Sequence, residues 1–255
     1  MSGSGKVVLV TGASGGVGRG IALACAEAGW TVWVAARRAR EGSEVAENVD
    51  AVGGRGRYVA CDVRDATSVA SAVQAVTLRD GRLDGVVHNA TSELSPRPVR
   101  LVEVPLADLR EHAAVSVRGT WLLARSAFPH LRAARGSLLL LTSEAGFEGK
   151  ARLAPYAAVK AMQRGLARAL AREWGPHGVR VNGLAPLASS PAMERAFAED
   201  AAMRARVLGR NPLGRLGDPV REIGAAARFL LSDDAAYVTG HTLMVDGGMS
   251  IDAGR

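Results

Sequence analysis

Tyr156 and Lys160, in the stretch Ala154-Pro155-Tyr156-Ala157-Ala158-Val159-Lys160, are the residues of this chain best suited to proton chemistry. On a helix their interval is one turn, so a phenol and an ammonium converge on one small volume. A free tyrosine titrates near about 10, too high for easy proton exchange at neutral pH, and a cation a few Å away lowers that value by roughly 1–3 units. The phenol then approaches the range of a working general acid or base. A solvated helical lysine one turn beyond a half-buried tyrosine has the same spacing, so the surrounding motifs must decide.

The first of them is Thr11-Gly12-Ala13-Ser14-Gly15-Gly16-Val17-Gly18, which follows the apolar run Lys6–Thr11 and precedes a helical pattern over Arg19–Ala28. Strand, glycine-rich turn and helix in that order make a phosphate site, because glycines admit a pyrophosphate to the backbone and the helix start presents free N–H groups. Trp30–Ala35 reads as a second strand, whose end would face an adenosine ribose. Binders of NAD commonly carry an acid there; this chain has Ala36 followed by Arg37 and Arg38. A carboxylate repels a 2′-phosphate and a guanidinium grips it, which points to NADP(H) over NAD(H), with NAD still possible. Two solvated arginines at a strand end are the plain alternative.

Further strands are expected over Arg57–Val63, Asp84–Ala90, Gly136–Ser143, Gly178–Pro186 and His241–Asp246. Helices are expected over about Glu41–Val52, Ala66–Leu78, Leu106–Ala134, with Gly119 as a close-packing point, and from Tyr156 to about Trp174. Asp62 is placed to take an adenine amino group or to begin the next helix. Asn89 is placed to hold the strand edge through its amide, and His88 reads as a packed structural histidine. Strand and helix alternate without linker or repeat, so one doubly wound α/β domain over residues 1–255 is the economical reading.

With 48% hydrophobic and 22% charged residues the chain has the make-up of a soluble globular protein. Its apolar runs are too short to cross a bilayer, and Met1–Lys6 has no signal-peptide layout. Cys25 and Cys61 lack metal-ligand spacing and suit buried thiols in a reducing compartment, which suggests the cytoplasm. The net charge of +7 is spread along the chain without a basic tract, so an anionic cofactor accounts for it better than nucleic acid.

From about residue 6 to residue 249 the chain resembles the short-chain dehydrogenase/reductases. The matching motifs are Thr11-Gly12-x-x-x-Gly16-x-Gly18, Asp62-Val63, Asn89-Ala90, Ser143, Tyr156-x-x-x-Lys160, Asn182 with Pro186, and Val245-Asp246-Gly247-Gly248. The resemblance implies a Rossmann-like, seven-stranded parallel sheet of order 3-2-1-4-5-6-7 with helices on both faces. It also implies NAD(P)-dependent exchange between carbonyl and alcohol, and usually a homotetramer or homodimer. Tyr156 would then be the proton donor or acceptor. Ser143 would hydrogen-bond the substrate oxygen, and Lys160 would tune the phenol and hold the nicotinamide ribose. The cofactor would be lined by Gly12, Ser14, Gly16, Val17, Gly18, Arg37, Arg38, Asp62, Val63, Asn89, Ala90, Thr91, Val115, Tyr156, Lys160, Pro186, Leu187 and Ser189. The interval of four between tyrosine and lysine favours a carbonyl substrate, because the similar enoyl reductases typically use seven.

The chain departs from the family pattern at Ser116, Thr91, Leu187 and Pro191. Ser116 stands where the family has an asparagine whose backbone carbonyl holds a water on the lysine's proton path, and a serine bonding locally would leave that carbonyl available. At Pro191 the family has a threonine that touches the nicotinamide amide or phosphate, and Ser189 and Ser190 are candidates to take its place. Residues 187–212 should form a lid over the substrate. There Met193, Phe197, Met203, Val207 and Leu208 suit either an apolar substrate or the lid's own packing against the domain. Arg195, Arg204, Arg206 and Arg210 suit an acidic carrier or a solvated face. An NADPH-dependent reductase of a mainly apolar ketone is the leading expectation, and an NADP(H)-binding sensor without turnover is its rival.

Overall fold

The computed structural model describes residues 5–251. Residues 1–4, part of the stretch without a signal-peptide layout, lie outside that range, as do residues 252–255. Seven strands form one parallel sheet: β1 (Val7–Thr11), β2 (Thr31–Ala36), β3 (Arg55–Ala60), β4 (Gly85–His88), β5 (Ser137–Leu141), β6 (Arg180–Pro186) and β7 (Thr242–Val245). Their order is 3-2-1-4-5-6-7, the expected one. The helices are α1 (Gly16–Ala26), α2 (Ala39–Ala51), α3 (Ala66–Asp80), α4 (Leu106–His112), α5 (Gly119–Ala134), α6 (Ala145–Glu148), α7 (Ala154–Trp174), α8 (Pro191–Glu199), α9 (Ala201–Gly209) and α10 (Ala225–Leu231).

The unbroken apolar strands are explained by two cores, one on each face of the sheet. Leu9, Leu138 and Leu140 point to the core under α3, α5 and α7, with Val73, Leu123, Leu131 and Trp174. Their chain neighbours Val8, Val10, Leu139 and Leu141 point to the opposite core, with Ile21, Val49, Leu230 and Leu231 of α1, α2 and α10. Alternation along a pleated strand demands this division, and each fully buried leucine contributes about 1.5–3 kcal/mol. β1 pairs with both β2 and β4, so the direction of winding reverses beside it and opens a crevice at the strands' C-terminal ends.

Of the element boundaries that differ from expectation, three bear on the nucleotide turn and the long helix. The helix over 106–134 is interrupted by a π-helical segment at Ala113–Arg118, in which the Gly119 N–H reaches the Ala114 carbonyl five residues back. α1 starts at Gly16, so the glycines are themselves its first turn. β3 stops at Ala60, which leaves Asp62 on a loop. Gly119 is the close-packing point expected, since a Cβ there would lie 3.1 Å from the Val63 side chain. No described helix is long and apolar enough to cross a membrane.

Candidate active site

Gly12 (φ +65°) and Gly16 (φ +54°) hold left-handed conformations that let the chain leave β1 and enter α1 at once. The inner side of this turn is tight: a Cβ on Gly12 would meet Ala90 Cα at 2.8 Å, and one on Gly18 would meet Asn89 Nδ2 at 2.4 Å. The Asn89 amide donates to the Thr11 and Gly12 carbonyls at 3.1 and 3.0 Å, which locks β4 to the turn as expected. The outer side is open, because Cβ atoms on Gly15 and Gly16 would meet only Arg38 and Ser190, each at 3.9 Å. Free N–H groups at the start of α1, with no acid in its first turn, face this open ground and fit a pyrophosphate. Val17 packs instead against the core.

The two arginines separate. Arg38 donates to the Ser14 hydroxyl at 3.0 Å and so lies against the phosphate turn, whereas Arg37 pairs with the exposed Glu93 at 2.5 Å. Asp62 does not cap α3; Asp65 does, accepting from the Ser68 N–H. Asp62 is instead gripped by Arg64 through its backbone N–H and guanidinium, and these bonds hold its carboxyl below the usual range. Val63 is buried beside it, Ala90 closes the turn, and Thr91 is exposed at the crevice mouth. His88 is fully buried, with Nδ1 against the Thr11 hydroxyl at 3.3 Å; burial above all, and the nearby Lys160, push it down to about 3. It is therefore neutral, as a structural histidine should be.

At the other end of the crevice β5 delivers Ser143, and α7 delivers Tyr156 and Lys160. Lys160 is buried and donates to the Leu141 carbonyl at 2.6 Å, tying α7 to the end of β5 two residues before Ser143. Its Nζ lies 5.8 Å from the centre of the Tyr156 ring. Burial pushes the Lys160 ammonium down to about 8. For Tyr156 the expected direction is reversed: burial raises the phenol, the Ser143 hydroxyl pulls it partly back, and Glu144 raises it further. The loss of water around this half-buried residue outweighs an ammonium that is 5.8 Å away and commits two of its three donors to Leu141 and Gln163.

Ser116 behaves otherwise than expected. Its hydroxyl is buried without a partner, so it bonds nothing locally. Its carbonyl, rather than staying available, accepts from the Thr120 hydroxyl at 2.5 Å and from Gln163 Nε2 at 3.3 Å. Gln163 and Thr120 are thus site residues that the motifs pass over. The signal is present in the sequence: Gln163 stands three residues after Lys160, in the stripe Lys160, Gln163, Ala167, Leu170, Trp174 that α7 buries, where an amide needs a reason. Val115 is buried in the same π-helical segment.

Beyond β6, Pro186 ends the strand and the Leu187 N–H bonds the Val245 carbonyl, with the Leu187 side chain buried. Ser189 donates to Glu194 at 2.6 Å, and the Ser190 hydroxyl accepts from the Met193 N–H, so both hydroxyls serve the start of α8. Residues 187–212 contain the two short helices α8 and α9, with Phe197 buried. The cleft against Tyr156 is walled by Leu94, Val99, Val104, Leu153 and Pro155, with Arg97, Asp108, His112 and Arg152 beside them. This wall comes from the β4–α4 loop and the start of α7; of the lid residues, Phe197 is buried, in keeping with the alternative that they pack the lid against the domain.

A family model described as "Enoyl-(Acyl carrier protein) reductase" matches residues 12–250. The L-fucose dehydrogenase of Oryctolagus cuniculus is 36% identical over 262 residues, covering 98% of this chain and 87% of that protein. The 3-oxoacyl-[acyl-carrier-protein] reductase of Vibrio cholerae is 36% identical over 246 residues, covering 96% and 97%. Among solved structures, a gluconate 5-dehydrogenase from Burkholderia cenocepacia in complex with NADP and tartrate superposes with a TM-score of 0.89 at 29% identity, covering 97% of this chain and 96% of that one. With the sheet order, the glycine-rich turn and the Ser143, Tyr156 and Lys160 arrangement already in place, these likenesses over nearly its whole length show that the chain belongs to the short-chain dehydrogenase/reductase family of NAD(P)-dependent oxidoreductases.

Proposed function

We propose that the protein is an NADPH-dependent carbonyl reductase with Tyr156 as its proton donor. When bound, the nicotinamide supplies the hydride that reaches the carbonyl carbon. Tyr156 gives its phenolic proton to the carbonyl oxygen, and a phenol raised by burial is held in the protonated form that reduction needs. The Ser143 hydroxyl, two residues beyond the end of β5, can donate to the same oxygen as charge builds there. Lys160 keeps a cation beneath the phenol and retains one N–H for a ribose hydroxyl. The observation that carries this reading is the joining of α7 to β5 through Lys160 and the Leu141 carbonyl, which sets Ser143 and Tyr156 side by side.

NADPH is favoured over NADH by Arg38 lying on Ser14 at the phosphate turn, and relatives of this fold are solved with NADP. A carbonyl rather than an enoyl substrate is favoured by the four-residue interval between Tyr156 and Lys160, although the matching family model carries an enoyl reductase's description. The apolar side chains of the cleft favour a substrate with an apolar body. Leu106, Leu109 and Trp121, exposed on α4 and α5, support burial against further copies in a homotetramer, which light scattering would show as four chain masses.

A ketone panel with NADPH, followed at the nicotinamide absorbance, tests the assignment. Apolar ketones and oxo acids with an apolar chain should turn over, and small neutral sugars should not. Tyr156→Phe should lower kcat by about 10²–10⁴-fold with NADPH binding intact. Tight NADPH binding with no turnover on any member would favour a sensor instead.

A further inference from the structure

Gln163 is fully buried on the face of α7 that carries Lys160, and its partners sort its two amide atoms. Oε1 accepts from the Lys160 ammonium at 3.0 Å. Nε2 donates to the Thr120 hydroxyl oxygen at 3.0 Å and to the Ser116 carbonyl at 3.3 Å. A flipped amide would set N–H groups against the ammonium and a lone pair against the carbonyl, so this orientation alone is chemically consistent. The Thr120 hydroxyl spends its proton on the Ser116 carbonyl and therefore offers Gln163 an acceptor. The ammonium has three donors: one goes to Leu141 and one to Gln163, which leaves a single N–H for the cleft.

We propose that Gln163 is the positioning residue of the active-site lysine, tying its ammonium to the Ser116 turn, favouring its charged form and closing that side to proton exchange. The role rests on the enzymatic reading only for its catalytic consequence. A neutral amide neither gives up nor takes on a proton near neutrality, so no proton passes from Lys160 to the turn through it. It is still a strong acceptor for a cation. No described carboxylate steadies the ammonium in its stead, and burial pushes it down. The titratable groups facing the ammonium are Tyr156 on its own helix, His88 at the end of β4 and His112 at the end of α4, while Glu144 faces the phenol. His88, held near 3, is neutral throughout the working range, and burial also pushes His112 down.

The chain contains three lysines, Lys6, Lys150 and Lys160, so ¹³C-labelled lysine Cε resonances can be followed through a pH titration of the cofactor-free protein. Lys160 should titrate near 8 in the wild type. In the near-isosteric Gln163→Met the midpoint should fall by about one unit, and in Gln163→Glu it should rise above the wild-type value. In the active enzyme the alkaline limb of kcat should move the same way, so that Gln163→Met loses about fivefold at pH 8 and almost nothing at pH 6, with KM for the ketone unchanged. An unmoved Lys160 midpoint in a folded variant, or shifts in the same direction for Met and Glu, overturns the proposal. Should Gln163→Met not fold, Gln163→Leu takes its place, since a purely structural amide predicts no fall in the Lys160 midpoint. The titration needs no turnover. A wild type inactive on every ketone would remove the enzymatic reading and leave this result standing.

Discussion

Arg37 and Arg38 are adjacent and identical in type, yet the fold gives them different work. Arg38 lies along the Ser14 hydroxyl at the phosphate turn, and its pairing with Glu41 is loose at 3.4 Å and exposed. Arg37 is drawn to Glu93, on the loop after β4, in a pair whose acid is 84% solvent-exposed and therefore weak. A 2′-phosphate near Ser14 would gain charge-assisted bonds from Arg38 worth about 1.5–3 kcal/mol. Arg38→Ala should accordingly raise KM for NADPH by about 10- to 150-fold and leave KM for NADH within about twofold, while Arg37→Ala should change the NADPH value by less than about threefold. Steady-state kinetics with both cofactors checks this, and equal losses for NADH and NADPH would refute the assignment of Arg38.

Between elements, the decisive packing is that of α6 on α7. A Cβ on Gly146 would lie 2.8 Å from both Ala161 N and Lys160 C, backbone atoms that cannot rotate away. This absence of a side chain allows α6, and with it the Ser143 loop, to settle on α7 beside Lys160. Gly146→Ala must push the two apart, at a cost of about 1–3 kcal/mol by the usual measure of overpacking. The displacement falls on Ser143 rather than on the nucleotide turn. Expected, then, are a kcat lowered at least tenfold, a Tm lowered by a few degrees, and NADPH affinity within about twofold of wild type by fluorescence titration. Unchanged kcat would show that α6 does not set Ser143. The π-helical segment is the second such device, since its register presents the Ser116 carbonyl to Thr120 and Gln163.

For the molecule as a whole, the buried ammonium of Lys160 makes stability depend on pH in a defined direction. Its ordinary value of 10.5 applies when the chain is unfolded and about 8 when it is folded. Below 8 both states carry the proton, and folding bears the full cost of burying a charge. Between 8 and 10.5 the unfolded chain binds one more proton, so this residue adds stability as pH rises. Against Lys160→Met, which cannot titrate, the wild type should gain about 2 kcal/mol in unfolding free energy between pH 7.5 and pH 9.5 in urea melts. A difference that stays constant with pH would mean that the lysine is not buried as a cation. Burial of a charge the fold would be easier without is what an active site demands of its scaffold.

How much of this is legible without the fold follows from the range of the forces involved. Apolar runs, glycine positions and the interval between Tyr156 and Lys160 are local, and they suffice for the seven strands, their order through family resemblance, the nucleotide turn and the Asn89 lock. Partners drawn from distant segments are beyond their reach. Glu93 on Arg37 and Gln163 on the Ser116 carbonyl depend on which segments the sheet brings together, and a sequence without its fold gives no distances. The direction of the Tyr156 shift escapes the sequence for the same reason. A neighbouring cation is visible four residues away, whereas the partial loss of solvent that outweighs it exists only once the chain has folded around the half-buried tyrosine.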